Sequence, residues 1–337
     1  MPARPPCLAA RVAGFLAVMA VAAVASAIAA WGTRWTIPQA RPDAARYALR
    51  AQWNGIAAPA GRLLRPIGVA AAPTGDVYVT DARLRVVRFS ASGDVLGAWG
   101  TEGDGPGEFR NPVGIAAGPD GSVYVSDYEQ DRVQKFTPNG TFIVAFGRSG
   151  SGPGEFNAPA GVAVDGAGGV YVADFYNHRI QKWHSNGSFA QVIGRPGRIG
   201  PGALHYPTAV AVTGGGELIV ADAYNYQVQW FDTEGRPLRR AGYHLFWVWP
   251  RPAGSTSGFF VPSGVAVDRR GVLHLADSGN HRVVMLSPEG EYVTEWRVPN
   301  ADPKVYSPEH VAVSPDGRTL YAADAARNRV LVLAVGR

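Results

Sequence analysis

Six aspartates, Asp81, Asp127, Asp174, Asp222, Asp277 and Asp324, each close a short apolar run of the Val-Tyr-Val type. A ring of six carboxylates could bind cations. A scaffold role accounts for all six copies at once, because a carboxylate after a strand accepts main-chain N–H bonds from the loop that follows. His178 and His281 occupy one repeated loop position two repeats apart, and zinc ligands must lie within ~2.1 Å of a single point. A repeat-specific loop contact therefore explains them better than a shared metal. His184, beside Trp183, reads as a surface residue, and His274 stands in a run where other repeats carry Tyr or Ile and reads as packed. His310 is different, since it replaces the glycine of a recurring Pro-x-Gly and has Glu309 beside it. Polar groups converging in a cavity mark a site, so this pair is a candidate for a ligand or a cation.

The second concentration of chemistry is aromatic. Between Gly242 and Pro262 the chain reads GYHLFWVWPRPAGSTSGFFVP, where equivalent connections read GTEGDGPGEFRNP and GRSGSGPGEFNAP. Tyr243, Phe246, Trp247, Trp249, Phe259 and Phe260, with His244 among them, stand in place of one Phe. At ~150–250 Å² of burial potential each, six exposed rings would present on the order of 1,000 Å². That exceeds the ~300–600 Å² of the largest apolar patch on an ordinary monomer. Some of these rings must be covered, by folding back as a lid or by a partner. No Gly-x-Ser-x-Gly elbow or His-Glu-x-x-His motif accompanies them, so no catalytic residue, metal site or cofactor is assigned.

The elements that position these residues follow from self-similarity. Segments beginning at Pro66, Pro112, Pro159, Pro207, Pro262 and Pro308 align over their first part, with spacings of 46, 47, 48, 55 and 46 residues. Such a period fits one four-stranded propeller blade per repeat. In each unit a Gly-Val-Ala-Val strand, a turn rich in Asp, Pro and Gly, and a Val-Tyr-Val-x-Asp strand are succeeded by a strand such as Arg-Val-Gln-Lys-Phe and an outer strand ending in an aromatic. The last unit stops after its third strand, and residues 49–54 carry the spacing of the outer strand at 95–100. The expected fold is all-β: a six-bladed β-propeller of four-stranded blades whose N-terminal strand closes the last blade, preceded by an N-terminal hydrophobic helix. Loops between consecutive blades gather on the channel-mouth face. The expected ligand surface there comprises Tyr243, His244, Phe246, Trp247, Trp249, Phe259 and Phe260, together with His205, Tyr206, Glu309 and His310.

The run PxGVAVDxxGxVYVADxxNHRIQKWxxxG, from Pro159 to Gly187, resembles the NHL repeat, and its eponymous Asn-His pair is matched by Asn177-His178 and Asn280-His281. The resemblance extends over residues 46–337. Other units depart at that pair, with Asn225-Tyr226, Gln130-Asp131, Arg83-Leu84 and Arg327-Asn328. The resemblance implies a propeller that serves recognition, with enzymatic relatives as the alternative. Peptidyl-amidating lyases of similar fold place metal-binding histidines directly after the blade proline. Here those positions are Ile67, Val113, Ala160, Thr208, Ser263 and Glu309, so that pattern is absent. With one cysteine in the chain, the RING finger found in tripartite-motif NHL proteins is absent too.

The formal charge of +5 is concentrated in residues 1–50, which hold six arginines against Asp43 and leave 26 basic and 26 acidic side chains in the remainder. A neutral domain lacks the electrostatic excess that drives phosphate-backbone binding, so no nucleic-acid partner is expected. Residues 12–31 form an uncharged apolar stretch long enough to cross a hydrocarbon core of ~30 Å. Small residues at Ala25, Ala27 and Ala29 also fit a signal-peptide cleavage site, so cleaved signal and uncleaved anchor both stand. The expected organisation is a signal or anchor at 1–31, a linker at 32–45 and the propeller at 46–337. It displays a protein, peptide or glycan receptor outside the cytoplasm, membrane-anchored or secreted. A metal-assisted hydrolase or lyase around His310 and an RNA-binding NHL domain are the rivals.

Overall fold

Each repeat folds into a four-stranded antiparallel sheet because its short apolar runs have too little surface to be stable except between two like neighbours. The computed structural model describes residues 46–55, 61–242, 258–301 and 304–336. Blade 1 runs Val69–Ala71, Val77–Asp81, Arg85–Phe89 and Val95–Trp99; blade 3 runs Pro159–Val164, Val170–Asp174, Arg179–Trp183 and Phe189–Ile193. Blades 2, 4 and 5 repeat this order from Pro112, Pro207 and Pro262. Second strands such as Val77–Asp81, Val123–Asp127 and Val170–Asp174 are buried along their whole length. Both of their faces are covered, which suits the β-branched and aromatic residues they carry.

Blade 6 is assembled from the two ends of the chain. Its sheet order is Tyr47–Trp53, Arg329–Val335, Thr319–Asp324 and His310–Val313, with the N-terminal strand antiparallel to the C-terminal one. The closure expected from counting strands is thus present. Trp53 then reaches into blade 1: its ring stacks on Phe89 at 5.5 Å and tilts against Tyr321 at 5.3 Å.

The first strands pack tightly around the axis, and four blades keep the glycine of Pro-x-Gly there. A Cβ on Gly114 would stand 2.1 Å from the Ala160 carbonyl oxygen of the next blade. Blade 4 fits Ala209 there without exposure, and blade 6 places His310 there.

The apolar stretch at residues 12–31 and its expected helix lie outside the described residues. Among the described residues no helix is long and apolar enough to cross a membrane.

Candidate functional site

The six aspartates are interior ties. All are fully buried. Asp81 accepts the Leu64 N–H at 3.2 Å, Asp174 that of Asn157 at 2.8 Å, Asp222 that of His205 at 2.7 Å and Asp277 that of Phe260 at 2.7 Å. Asp127 takes the N–H groups of both Arg110 and Asn111, and Asp324 accepts the Ser307 hydroxyl. Each carboxylate therefore binds the loop after the second strand to the link that enters the same blade, which places both kinds of loop on one face of the ring.

Arginine neutralises most of these carboxylates. Arg85, Arg179, Arg282 and Arg329 lie 2.7–3.1 Å from Asp81, Asp174, Asp277 and Asp324. Arg132 stands near enough to Asp127 to favour its charge. Blade 4 has Gln227 instead. Asp222 is held by amide donors of Asn225, Gln227 and Gln229 and the His205 N–H, and burial pushes its pKa up to about 6.

One left-handed position recurs in the loop after the second strand of every blade, and in three blades its side chain bonds to the next blade. Leu84, Asp131, His178, Tyr226, His281 and Asn328 all have φ between 52° and 61°. His178 Nδ1 accepts the Tyr206 N–H at 3.0 Å, Asp131 that of Ala158 at 2.7 Å and Asn328 that of Arg65 at 2.8 Å. In each case the donor is the residue just before the next blade's proline. The eponymous histidine of blade 3 is thus an inter-blade contact.

Above these ties the loop face carries an arc of aromatic rings. Tyr206 sits at its centre, 4.9 Å from Phe175, 5.8 Å from Tyr176, 4.4 Å from His178 and 5.0 Å from Tyr224. Tyr128 extends the arc into blade 2, and His205 stacks on His178 at 5.1 Å with the planes 10° apart. On the other side Tyr226 stacks on Phe260 at 5.9 Å, and Phe260 meets Tyr306 at 6.3 Å. Burial, and the nearness of the Tyr306, Tyr226, Tyr206 and Tyr176 hydroxyls, hold the Tyr224 phenol well above its ordinary pKa. Burial, the Arg198 guanidinium and His178 bring His205 down to about 4, so its ring is neutral at physiological pH. A groove of about 410 Å³ flanks the arc, lined by Ser151, Tyr176, His178, Val192, Arg195 and Pro196.

The arc has its sequence origin at one fixed position of the repeat, where no single residue is unusual taken alone. The two positions after the second-strand aspartate are Phe175-Tyr176 in blade 3, Tyr128-Glu129 in blade 2 and Ala223-Tyr224 in blade 4. In blades 5, 6 and 1 they are Ser278-Gly279, Ala325-Ala326 and Ala82-Arg83. Reading across repeats at one fixed position, rather than along the chain, reveals the asymmetry.

Of the residues expected to bind ligand, His205, Tyr206 and Phe260 belong to this arc. Phe259 does not: it is 3% exposed and packed in the core between blades 4 and 5. It is the counterpart of Phe109 and Phe156, so the insertion follows the family pattern at that position and Phe259 contributes no ligand surface. Tyr243, His244, Phe246, Trp247 and Trp249 lie outside the described residues. The insertion leaves and rejoins the described fold beside the arc, since Gly242 abuts the Tyr226 carbonyl and the Gly258 carbonyl accepts from Asn280.

No hydrogen bond or ion pair joins the Glu309 and His310 side chains among the described residues. Both His310 ring nitrogens are buried and meet no partner of good hydrogen-bond geometry; burial brings the ring's pKa down to about 4, while the nearby Val69 main chain favours its charged form. The imidazole lies toward blade 1, beside the Val69 main chain, at a position where four other blades have glycine and blade 4 has alanine. Glu309 is half-buried, and desolvation raises its pKa to about 7. Among the described residues no three His, Cys, Asp or Glu side chains gather where they could hold a metal ion.

Six four-stranded blades, closed by an N-terminal strand and tied by buried Asp–loop contacts, define a six-bladed β-propeller. The sequence matches the NHL repeat at residues 109–136, 156–183 and 204–231, which are blades 2, 3 and 4 through their third strands. The chain is an NHL-repeat propeller, and the structure carries the same unit through the other three blades. No curated protein matches the sequence. Among solved structures, Kuenenia stuttgartiensis hydrazine synthase aligns with a TM-score of 0.56 at 17% identity, covering 81% of this chain and 96% of that one. A streptogramin B lyase aligns with a TM-score of 0.57 at 12% identity, over 87% and 98% of the two chains. Virginiamycin B lyase from Staphylococcus aureus aligns with a TM-score of 0.55 at 13% identity, over 86% and 99%. These likenesses concern the fold.

Proposed function

We propose that the protein is a non-catalytic recognition propeller, exported or membrane-tethered through its N-terminal segment, that binds a protein, peptide or glycan on its loop face. The observation that carries this reading is the aromatic arc centred on Tyr206 and Tyr224. Partly exposed tyrosines there present ring faces and hydroxyls together, the combination enriched at interfaces because one end is apolar and the other hydrogen-bonds. The structurally similar streptogramin and virginiamycin lyases leave an enzymatic role as the rival, at identities too low to transfer chemistry. The burial of both His310 ring nitrogens weighs against a channel-centred hydrolase or lyase that uses that residue.

Capture from an extracytoplasmic fraction by the purified protein, compared with Tyr206→Ala and Tyr224→Ala, tests the site. Partner capture should be lost in both variants while the folded fraction is retained; capture unchanged in both would refute it. A reporter fused after Arg337 should be active only outside the cytoplasm, and cytoplasmic activity would overturn the export reading. RNA retained at moderate salt would favour the nucleic-acid alternative instead.

A further inference from the structure

The link into blade 4 has lost a carboxylate that the links into blades 2 and 3 carry. Glu108 accepts the Gly105 N–H at 2.8 Å, and Glu155 accepts the Gly152 N–H at 2.9 Å and pairs with Arg148 at 3.0 Å. A glycine makes room for each acid: a Cβ on Gly103 would stand 2.0 Å from a Glu108 carboxylate oxygen, and one on Gly150 2.2 Å from that of Glu155. The link into blade 4 keeps the arginine of Arg148 as Arg195 and the glycine as Gly197, whose φ of 156° matches the 152° and 153° of Gly103 and Gly150. The acid itself is replaced by Ala203. A Cβ on Gly197 would meet the Ala203 methyl at 3.2 Å and the Arg195 guanidinium at 3.6 Å. Arg195 forms no ion pair among the described residues, and its hydrogen bond to the Ile199 carbonyl is long, at 3.5 Å. The groove of about 410 Å³ that Arg195 helps to line has no Asp or Glu in its wall. Of its other polar groups, Arg179 and Asn177 are committed to Asp174 and to main-chain carbonyls. The hydroxyls of Ser151 and Tyr176 make no hydrogen bond among the described residues. His178 accepts the Tyr206 N–H through Nδ1, which places its own proton on Nε2.

Resting on the recognition reading of the same face, we propose that this groove is a subsite for a carboxylate carried by the ligand, with Arg195 as its anchor. The ligand's carboxylate takes the place that Glu155 fills in the preceding link, where the same arginine position already binds an acid. A planar guanidinium matches a carboxylate with two parallel N–H···O bonds. Ser151 and Tyr176 add hydroxyl donors, and Val192 and Pro196 offer apolar wall to the ligand's carbon atoms. One guanidinium without an acid matches a monoanion, so a carboxylate suits the groove better than a phosphate dianion. An acidic peptide side chain and a uronic acid would both present that group.

The test measures binding of Nα-acetyl-glutamate methylamide and glucuronate to the full-length protein by calorimetry and NMR titration, against Nα-acetyl-glutamine methylamide, glucuronamide and inorganic phosphate. At least one carboxylate should bind saturably, and its amide at least about tenfold more weakly, because the charge-assisted bonds to Arg195 are lost. The amide signals of Ser151, Tyr176 and Arg195 should move on binding. Arg195→Gln, at an exposed position, should keep the wild-type melting temperature and remove the preference for the acid over the amide. Ala203→Glu restores the acid of the neighbouring links within the chain and should close the site to added carboxylates; if it fails to fold, Arg195→Gln decides alone. The glutamate and glucuronate arms tell a peptide source from a glycan one. No saturable binding by either carboxylate, equal binding of acid and amide, tighter binding of phosphate, or an unchanged preference in Arg195→Gln overturns the subsite. Ligand capture that depends on Tyr206 and Tyr224 but persists in Arg195→Gln would leave the recognition reading standing without this subsite. Capture indifferent to those tyrosines would remove the recognition reading, and with it the role given to the groove.

Discussion

Replacing Gln227 by arginine should convert blade 4 to the pattern of its neighbours and change how stability depends on pH. Asp222 is fully buried and is served by amide donors alone. Its folded pKa of about 6 stands above the ordinary 3.8. The associated stability is fully present below about pH 4 and is lost as pH rises through about 6, amounting to about 3 kcal/mol at neutral pH, at 1.36 kcal/mol per unit. Gln227 is itself poorly served, because its Oε1 is buried without a donor. In blade 3 the equivalent Arg179 pairs with Asp174 and donates to the carbonyls of Ser151, Gly152 and Glu155. The motif Gly152-Pro153-Gly154-Glu155-Phe156 recurs as Gly200-Pro201-Gly202-Ala203-Leu204, so the same carbonyls await an arginine at 227. Because a buried ion pair bears its own desolvation cost, Gln227→Arg should recover about 1–3 kcal/mol at pH 7.5 and little or nothing at pH 4.5. Melting temperatures of both proteins across that range, with carboxyl NMR of Asp222, measure the difference. Asp127, Asp174, Asp277 and Glu309 also have raised pKa values and tilt both curves alike, so subtraction isolates Asp222. Parallel curves, or an Asp222 transition unmoved by the substitution, would refute the reasoning.

Trp53→Ala should cost about 3–5 kcal/mol, since it removes the ring that ties the closing strand to Phe89 and Tyr321. Deleting residues 1–44 should leave a folded propeller, whereas deleting 1–56 should bare the edge of Arg329–Val335 and cause aggregation, read by light scattering. Gly114→Ala should destabilise by about 1–3 kcal/mol, because the Ala160 carbonyl leaves no room for the methyl; an unchanged melting temperature would show that the inner strands yield. His178→Ala should cost about 1–3 kcal/mol by stripping the Tyr206 N–H of its acceptor. His178→Asn should be nearly neutral, because Asn328 performs that task at the same αL position in blade 6.

The sequence by itself determined the repeat, the strand count and the closure. These rest on local punctuation: proline and glycine at fixed offsets, alternating apolar runs, and a sixth unit lacking the strand that the N-terminus supplies. It also determined that the recurring aspartates are scaffold, because side-chain to main-chain bonding repeats wherever the local sequence does. The tertiary structure decided which aromatics share a surface. Tyr176, Tyr206, Tyr224 and Tyr306 come from separate loops on three blades, and no spacing along the chain announces their convergence. It moved Phe259 from the expected ligand surface into the core, where the Gly242 turn leaves room for a ring. It also separated Glu309 from His310, neighbours in sequence whose side chains meet different surroundings. His310 opens the inner strand at the position that four other blades give to glycine and has its ring nitrogens buried, whereas Glu309 precedes that strand and keeps accessible surface.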